Sequence, residues 1–526
     1  MATSRTLWHS NIYFALLIVL VVAIPTSNFL MSAAQIFLML NWLMEGRWKE
    51  KIVKAKNNPL LWGFGILFLV HIVWVTFSSN FDYALTDLRK KLPLLILPLV
   101  LLTSETISSK KINTILIIYS ITMFVVSAYS WTNHILHPET PYRSLFPFIS
   151  HIRLALNTCL VIFASSKYII DLHNNKYELS TGKRKTYIIL LLFAVIWFVG
   201  YLLLLQSYTG FVILLATCCI LGFLRLRYIK SRAIKYIFVG GTTIIVATLC
   251  STLLYYTHNY YNLAPLSTEP LQSKTANGNP YEHLQDNFVE CGNYLNNYIC
   301  HTELESAWNT VSTQKLTAKT LNGYPIKPTL IRYLNSKGLT KDSLGISALT
   351  AKDIKAIEMG KATVHEANTN VVPQMVYRLL FEYENYRHYH TVKNSSMLQR
   401  FELWNNSWSI FADHPMFGVG TGDVEDQIKT KLAQNNSELK DSNMRTHNQF
   451  LTFLLTFGII GTTIIVVAFA YAIRKQELFS SSLFIAYFCI FMLSFLSEDT
   501  LETAAGCLFS TFFFLLFSIK KDKIIS

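Results

Sequence analysis

The sequence predicts an all-α polytopic membrane protein of about 12 transmembrane helices with a large, mostly helical segment outside the membrane. Three observations predict this class. Hydrophobic residues make up 52% of the 526 residues and charged residues only 15%, against roughly 25% charged in soluble domains. The mean hydropathy is +0.33, and uncharged stretches long enough to span a bilayer recur along the chain. This composition excludes a disordered chain, a disulfide-rich secreted domain and an ordinary cytosolic enzyme.

Twelve stretches have the length and apolarity of membrane spans. The clearest evidence lies between Lys185 and Arg225, where 39 residues carry no formal charge. Because one helix crosses a membrane with about 20 residues, this stretch predicts two spans divided at residues 206–210. The N-terminal stretch has an alternative interpretation as a signal peptide flanked by Arg5, although no small-residue cleavage site follows it. The predicted spans lie near residues 10–24, 29–45, 60–77, 84–102, 112–131, 147–170, 186–205, 209–226, 235–255, 448–473, 478–496 and 501–519.

Lysine and arginine residues indicate how the spans are oriented, because short cytoplasmic loops carry an excess of them. With the N-terminus inside, the inside segments hold 23 of these residues, and the short outside loops with their adjoining span ends hold four. Both chain termini are therefore predicted to be cytoplasmic. The net charge of +14 is mainly a topology signal, and we do not expect nucleic acid as a partner. The four outside residues are Arg89, Lys90, Lys91 and Arg143.

The stretch 256–447 differs from the rest because it is nearly neutral, with 18 Lys/Arg and 19 Asp/Glu. It predicts three segments: nine spans in 1–255, a periplasmic segment in 256–447 and three spans in 448–526. Proline and glycine positions and the capping-box spacing of Thr350 and Asp353 predict helices in the middle segment. The four predicted helices are Pro328–Lys337, Thr350–Gly360, Pro373–His390 and Met397–Ala412.

Two of the eight cysteines, Cys291 and Cys300, lie in the middle segment. If that segment is in an oxidising compartment, the two can pair as a disulfide. Two free thiols are the equally open alternative. The other six lie in predicted spans and are interpreted as packing residues.

The residues Thr446-His447-Asn448-Gln449 open predicted span ten. Thr446 and Gln449 have capping-box spacing, which would place His447 in the first helical turn. There the helix dipole disfavours a charged imidazolium, so that a neutral ring can accept a proton. The same helix end attracts anions such as phosphate. The alternative interpretation is an interfacial histidine beside a helix cap.

Two arginines are further candidates for a functional site. Arg400 shares one predicted helical face with Trp404, Trp408 and Phe411, because the spacings are four, four and three. This helix is interpreted either as part of a site or as an interfacial anchor whose arginine snorkels. Arg153 lies a short way into predicted span six, where an arginine is costly and usually faces a partner or a cavity.

Four other sequence features have mainly structural interpretations. Ser207–Gly210 is a short turn that caps span eight, and the three carboxylates of Glu498–Glu502 are typical of an ordinary helix start. The glycine-rich residues 418–422 lack the strand-turn-helix context of a nucleotide site and predict a tight re-entrant turn. His388 and His390, two positions apart, do not share a helical face, so no metal site is predicted there.

Taken together, these motifs resemble those of O-antigen ligases in identity and order. They are Arg400 with Trp404, then residues 413–422, then 447–451, then 457–461. The superfamily also contains O-antigen polymerases and protein O-oligosaccharyltransferases. The specific part covers roughly residues 398–465, and the hydropathy pattern extends the resemblance over the whole chain. Residues 331–339 and 498–503 resemble the Bacteroidetes members in particular.

The resemblance implies a GT-C-type glycosyltransferase in the bacterial inner membrane. It would take a glycan from undecaprenyl pyrophosphate at the periplasmic face, and a ligase would pass this glycan to the lipid A core. No cofactor, nucleotide sugar or metal is implied, and membrane lipids surround the protein. By motif, Arg400 would bind the donor pyrophosphate, and His447 would activate the acceptor hydroxyl or position the phosphate. Family members often carry an arginine where this chain has Tyr208, and Arg153 is our candidate substitute.

Other reactions and other classes of protein remain open at this point. A polymerase or a protein oligosaccharyltransferase shares the fold and the arginine-histidine chemistry and differs in its acceptor. A lipid-linked glycan transporter is disfavoured, because transporters tend to have glycine- or proline-broken spans at matching places in two halves. A non-catalytic assembly factor is the last alternative. Besides Arg153, the residues expected to bind substrate are Ser207, Tyr208, Trp404, Asn448 and Glu498.

Overall fold

The computed structural model describes residues 4–137, 144–177, 179–227, 229, 231–268, 270–284, 286–368, 371–393 and 395–519. Helices dominate this part of the chain, and its strands form one two-stranded antiparallel sheet. The class is therefore the predicted one, an all-α polytopic membrane protein. Several basic residues of the orientation argument lie outside the described residues. They are Arg143, Lys230, Lys520, Lys521 and Lys523, together with the side chain of Arg5.

The α-helices are numbered in chain order, and short 3-10 helices and two strands lie between them in the described part of the chain. The α-helices are α1 (Ser4–Ala23), α2 (Asn28–Glu45), α3 (Trp48–Asn57), α4 (Pro59–Val73), α5 (Phe81–Lys90), α6 (Pro93–Thr103), α7 (Ser109–Leu136), α8 (His151–His173), α9 (Thr181–Leu205), α10 (Tyr208–Leu226), α11 (Arg232–Tyr261), α12 (Pro265–Thr268), α13 (His301–Val311), α14 (Ile326–Ser336), α15 (Ser343–Ser347), α16 (Ala351–Glu358), α17 (Val364–Ala367), α18 (Val371–Tyr389), α19 (Ser396–Asp413), α20 (Val424–Gln434), α21 (Gln449–Lys475), α22 (Ser482–Ser494) and α23 (Ala504–Ile519). The 3-10 helices are Trp74–Phe77, Leu478–Ser480 and Thr500–Glu502, and the strands are β1 (Val289–Glu290) and β2 (Asn293–Tyr294).

The chain packs into two compact units. Unit 1 comprises residues 1–133, 142–228 and 399–526, and unit 2 comprises residues 134–141 and 229–398. Packing therefore groups α11 with the middle of the chain. The predicted boundaries at 255 and 447 separate membrane spans from the periplasmic segment. They remain predictions, because the packing units do not show which side of the membrane a segment is on.

The predicted count of twelve spans is not confirmed. Among the described residues, seven helices are long and apolar enough to cross a membrane, or eight if the bent pair α2 and α3 forms one span. Leu7–Ala23, α22 and α23 are shorter apolar helices. The predicted span at 84–102 is interrupted between α5 and α6, because Pro93 cannot continue the hydrogen-bond ladder of the preceding helix.

Helix α21 is broken near the middle, and the break explains the glycine-rich turn. Gly458 has a φ of +61°, which interrupts the backbone hydrogen bonds of the helix. The loop after α19 provides a replacement acceptor, because Ile459 N–H donates to the carbonyl of Pro415 at 2.8 Å. In return, Val419 N–H donates to Leu455 O at 2.9 Å. A Cβ added at Gly458 would lie 2.3 Å from Met416 O. Only glycine fits this close approach, and the predicted re-entrant turn is a loop docked into a helix break.

The four helices predicted for the middle segment are present as α14, α16, α18 and α19, with ends shifted by one or two residues. The first three lie in unit 2, and α19 lies mostly in unit 1. The capping box of Thr350 and Asp353 is confirmed at the start of α16. A small core around the fully buried Trp308 joins α13, α14 and α16. Buried Glu290 holds Arg332 of α14 through an ion pair of 2.7 Å, which fixes that helix on β1.

Of the two open alternatives for Cys291 and Cys300, the structure has two free thiols and no disulfide between them. The two thiols have different surroundings. Cys291 packs with Tyr260 and Tyr377, on α11 and α18. Cys300 is the residue before α13, and its Sγ lies 3.5 Å from the hydroxyl of Thr302.

Candidate functional site

Several helix ends of unit 1 meet around a cavity of about 480 Å³. These ends are the end of α1 and α5, the start of α8, the residues before α21 and the turn before α23. Three candidate residues from the sequence, Arg153, His447 and Glu498, line this one cavity. The complete lining is Ile24, Lys90, Ile152, Arg153, Leu156, Asn157, Glu425, Asn443, Met444, Arg445, His447, Glu498, Asp499, Thr500, Glu502, Thr503, Ala505, Gly506 and Phe509.

His447 does not lie in the first turn of α21, and the predicted cap was wrong. The N-cap is Asn448, whose side-chain oxygen accepts a hydrogen bond from Leu451 N–H at 3.1 Å. His447 precedes this cap with a φ of +50°, in the left-handed region that non-glycine residues rarely adopt. The helix dipole argument for this ring therefore loses its geometric basis. A cost of about 1–3 kcal/mol for such a backbone requires compensating contacts.

Asp499 supplies those contacts. One carboxylate oxygen accepts the backbone N–H of His447 at 2.7 Å, and the other accepts that of Asn448 at 3.1 Å. The hydroxyls of Thr446 and Thr452 also donate to this carboxylate, at 2.8 and 2.7 Å. Hydrogen bonds from four donors fix the peptide of His447, while its ring stays half-buried on the cavity wall.

Arg153 lies in the first turn of α8, after the N-cap Ser150. Its Nη2 donates to Thr503 Oγ1 at 2.8 Å, and the side chain is half-buried. Among the described residues it forms no ion pair with a carboxylate. The guanidinium thus retains donors for a ligand in the cavity.

Arg400 does not line the cavity, but it contacts a residue that does. Its Nε donates to the carbonyl of Ser497 at 3.0 Å, and its Nη2 lies 2.8 Å from Glu498 Oε1. Burial raises the pKa of the Glu498 carboxyl above its ordinary value, and the nearby Arg400 and His447 act in the opposite direction. Arg400 therefore reaches the cavity wall through the Glu498 carboxylate.

A charged network that forms part of the cavity wall was missed by the sequence analysis. Buried Lys91 pairs with Asp87 and, at 2.7 Å, with Glu502. Arg445 pairs with Glu502 as well, and its Nε lies 2.9 Å from Glu425 Oε1. Sequence reasoning treated Lys91 as a topology signal and the turn of Glu502 as an ordinary helix start. The sequence does contain charges of opposite sign in two predicted spans, with Asp87 and Lys91 in one and Glu502 in the other. Such charges inside a membrane protein tend to pair with one another.

The other candidates lie outside the cavity lining. Ser207 caps α10 by accepting a hydrogen bond from Gly210 N–H at 3.2 Å, and Tyr208 follows it as a half-buried residue. Trp404 is half-buried, and its Nε1 has no hydrogen-bond partner among the described residues. Asn448 is the helix cap described above. Within the described part of the chain, no group of three His, Cys, Asp or Glu residues could hold a metal ion.

The fold and the site define a polytopic, all-helical membrane protein with a charged cavity where helix ends converge. A family model described as O-Antigen ligase matches residues 357–466, and this match supports the O-antigen ligase superfamily as the family of the chain. The matched residues include Arg400 and His447, whereas Arg153 and Glu498 lie outside them. No curated protein matches the chain significantly. The family implies a glycosyltransferase-like enzyme that acts on lipid-linked glycans.

Proposed function

We propose that the protein transfers a glycan from undecaprenyl pyrophosphate to an acceptor hydroxyl at the periplasmic face of the bacterial inner membrane. O-antigen ligation to the lipid A core is the first candidate reaction. The observation that carries this proposal is that His447 and Arg153 line one cavity of about 480 Å³. A histidine and a cation in one cavity provide a proton acceptor and a site for a leaving anion.

The reaction is a substitution at the anomeric carbon of the donor glycan. The acceptor oxygen forms the new bond to this carbon as the bond to the diphosphate oxygen breaks, and the diphosphate leaves with the electron pair. The His447 ring accepts the proton of the acceptor hydroxyl. Arg153 stabilises the charge that develops on the diphosphate, a contribution that is large in a partly desolvated site.

Arg400 has an indirect place in this proposal. Its forked donors are satisfied by Ser497 and Glu498 in the structure. It therefore positions Glu498 at the cavity wall, and it contacts the diphosphate only if the donor displaces that carboxylate. Arg400→Lys should impair transfer because lysine keeps the charge and loses the fork.

Transfer assays with the full chain in nanodiscs test the catalytic part of the proposal. The substrates are undecaprenyl pyrophosphate-linked glycan and lipid A core. His447→Ala should reduce transfer by at least about 100-fold, the usual scale for a general base. The matched control is His414→Ala, since His414 is exposed and lies outside the cavity lining. Near wild-type transfer by His447→Ala at equal protein level would remove this histidine from the mechanism.

Glycan profiling of a deletion strain tests the choice of acceptor. Loss of surface glycan from lipid A identifies a ligase. Single repeat units on lipid A identify a polymerase, and loss of protein-linked glycans identifies an oligosaccharyltransferase. An unchanged glycan profile on all three acceptors would contradict the proposed function.

A further inference from the structure

A second, smaller cavity of about 340 Å³ adjoins the one that contains His447. One face of α2 and the first residues of α23 form most of its wall. The two cavities share five residues, so they meet at one junction. The shared residues are Lys90, Arg153, Glu502, Thr503 and Ala505.

Two cations at this junction form no ion pair among the described residues, unlike the other cations nearby. Among the described residues, the guanidinium of Arg153 donates to the hydroxyl of Thr503 at 2.8 Å and forms no ion pair. Lys90 is half-buried, and among the described residues its ammonium forms no ion pair and lies 5.5 Å from the ring centre of Tyr83. By contrast, Lys91 and Arg445 are each held by two or more carboxylates.

The start of α23 adds backbone donors to the same place. Thr503 Oγ1 accepts a hydrogen bond from Gly506 N–H at 3.2 Å, and Cys507 N–H makes the first backbone bond, to Thr503 O, at 2.9 Å. Ala504 and Ala505 precede these bonds, and both residues line the smaller cavity. An exposed helix N-terminus with flanking cations is favourable for phosphate groups.

We propose that the junction binds the diphosphate of the lipid-linked substrate, with Lys90 as the second cationic contact beside Arg153. This inference rests on the proposed function. The larger cavity then holds the glycan next to His447, and the smaller cavity holds the first part of the lipid.

A purely structural role for Lys90 makes different predictions. The neighbouring network contains three carboxylates, Asp87, Glu425 and Glu502, and two cations, Lys91 and Arg445. In that role Lys90 would only balance the excess negative charge. Its loss would then lower protein stability and leave ligand discrimination unchanged.

The test compares the binding of undecaprenyl pyrophosphate and undecaprenyl monophosphate to the full chain in nanodiscs. Lys90→Gln should weaken pyrophosphate binding about tenfold, the scale of one charge-assisted contact, with a smaller effect on the monophosphate. Lys90→Arg should retain the preference for pyrophosphate. The matched control is Arg89→Gln, because Arg89 is the preceding cation on α5, is exposed and lines neither cavity.

A measurement on the unmodified protein complements the variants if Lys90→Gln does not fold. Undecaprenyl pyrophosphate should slow the acetylation of Lys90 severalfold and leave that of exposed Lys352 unchanged. Equal acetylation of Lys90 with and without this lipid would overturn the inference, as would unchanged discrimination in Lys90→Gln or an equal loss in Arg89→Gln. Because these readouts use the leaving group alone, they are independent of whether the protein transfers glycans.

Discussion

Asp499 holds the backbone of His447 at 2.7 Å, in a conformation with a φ of +50°. The carboxylate lies in the turn before α23, and the histidine lies in the segment before α21. The position of the ring in the cavity therefore depends on an acidic residue 52 positions away in the sequence. We regard Asp499 as a positioning residue for His447.

The first prediction concerns this contact. Asp499→Asn replaces one acceptor oxygen by an amide that cannot accept the backbone N–H groups. We expect glycan transfer to fall by about 100-fold, because a displacement of the order of 1 Å has this effect on catalysis. The fall should appear in kcat, with little change in the KM for the donor. The control is Asp413→Asn, which removes an exposed carboxylate 3.7 Å from Lys431. Wild-type kcat in Asp499→Asn would contradict the positioning role.

The second prediction concerns the network around Glu502. This carboxylate accepts contacts from Lys91 and from Gln449, at 2.7 and 3.0 Å, as well as from Arg445. Glu502→Gln leaves buried Lys91 and half-buried Arg445 with too few anions, and we expect a loss of about 3–5 kcal/mol in the free energy of unfolding. Glu50→Gln removes an exposed carboxylate 3.4 Å from Arg47 and should cost less than about 1 kcal/mol. Denaturant unfolding in detergent distinguishes the two, and equal stability of both variants would show that the network is not stabilising.

The third prediction concerns pH. Lys341 is fully buried, and burial lowers its pKa to about 7. Its Nζ donates to the side chain of Asn335 at 2.7 Å and to the carbonyl of Asn297 at 3.1 Å. An unfolded lysine has a pKa of about 10.4. Between these two values the unfolded state binds more protons, so stability should rise with pH, by up to about 1.4 kcal/mol per pH unit.

Hydrogen exchange of unit 2 measures this effect. Protection of peptides from residues 293–347, corrected for intrinsic exchange, should increase between pH 7 and pH 9. Lys341→Met should flatten the dependence, whereas Lys352→Met, at an exposed position, should leave it unchanged. The same slope in the Lys341→Met variant would assign the pH dependence to another group.

The fourth prediction concerns the sides of the membrane. A protease site inserted at the turn after Asn322 should be cleaved in right-side-out spheroplasts, because the basic residues predict that 256–447 is periplasmic. The same site inserted at Asn174, in the predicted inside turn after α8, should be cleaved only in inverted vesicles. The reverse pattern would overturn the proposed orientation and the periplasmic reaction with it.

Short sequence patterns were sufficient to predict a helix start when the capping residues lie close together in the sequence. The capping box of α16 depends on residues three apart, and it was predicted correctly. The same reasoning was wrong at α21, because Thr446 has an alternative partner in Asp499 and Asn448 takes the cap. A local pattern cannot reveal a competing acceptor that is distant in the sequence.

The sequence by itself determined the membrane class, and it contains the match to the O-antigen ligase family model over residues 357–466, which includes Arg400 and His447. Composition and ordered motifs suffice for these because apolarity and short motifs are properties of contiguous residues. Only the tertiary structure decided that Arg153, His447 and Glu498 share a cavity, that Arg400 reaches it through Glu498, and that Lys90 lines it beside Arg153. These relations arise where the ends of separate helices converge, and the physical reason is that packing and charge pairing, rather than sequence distance, fix which side chains meet there.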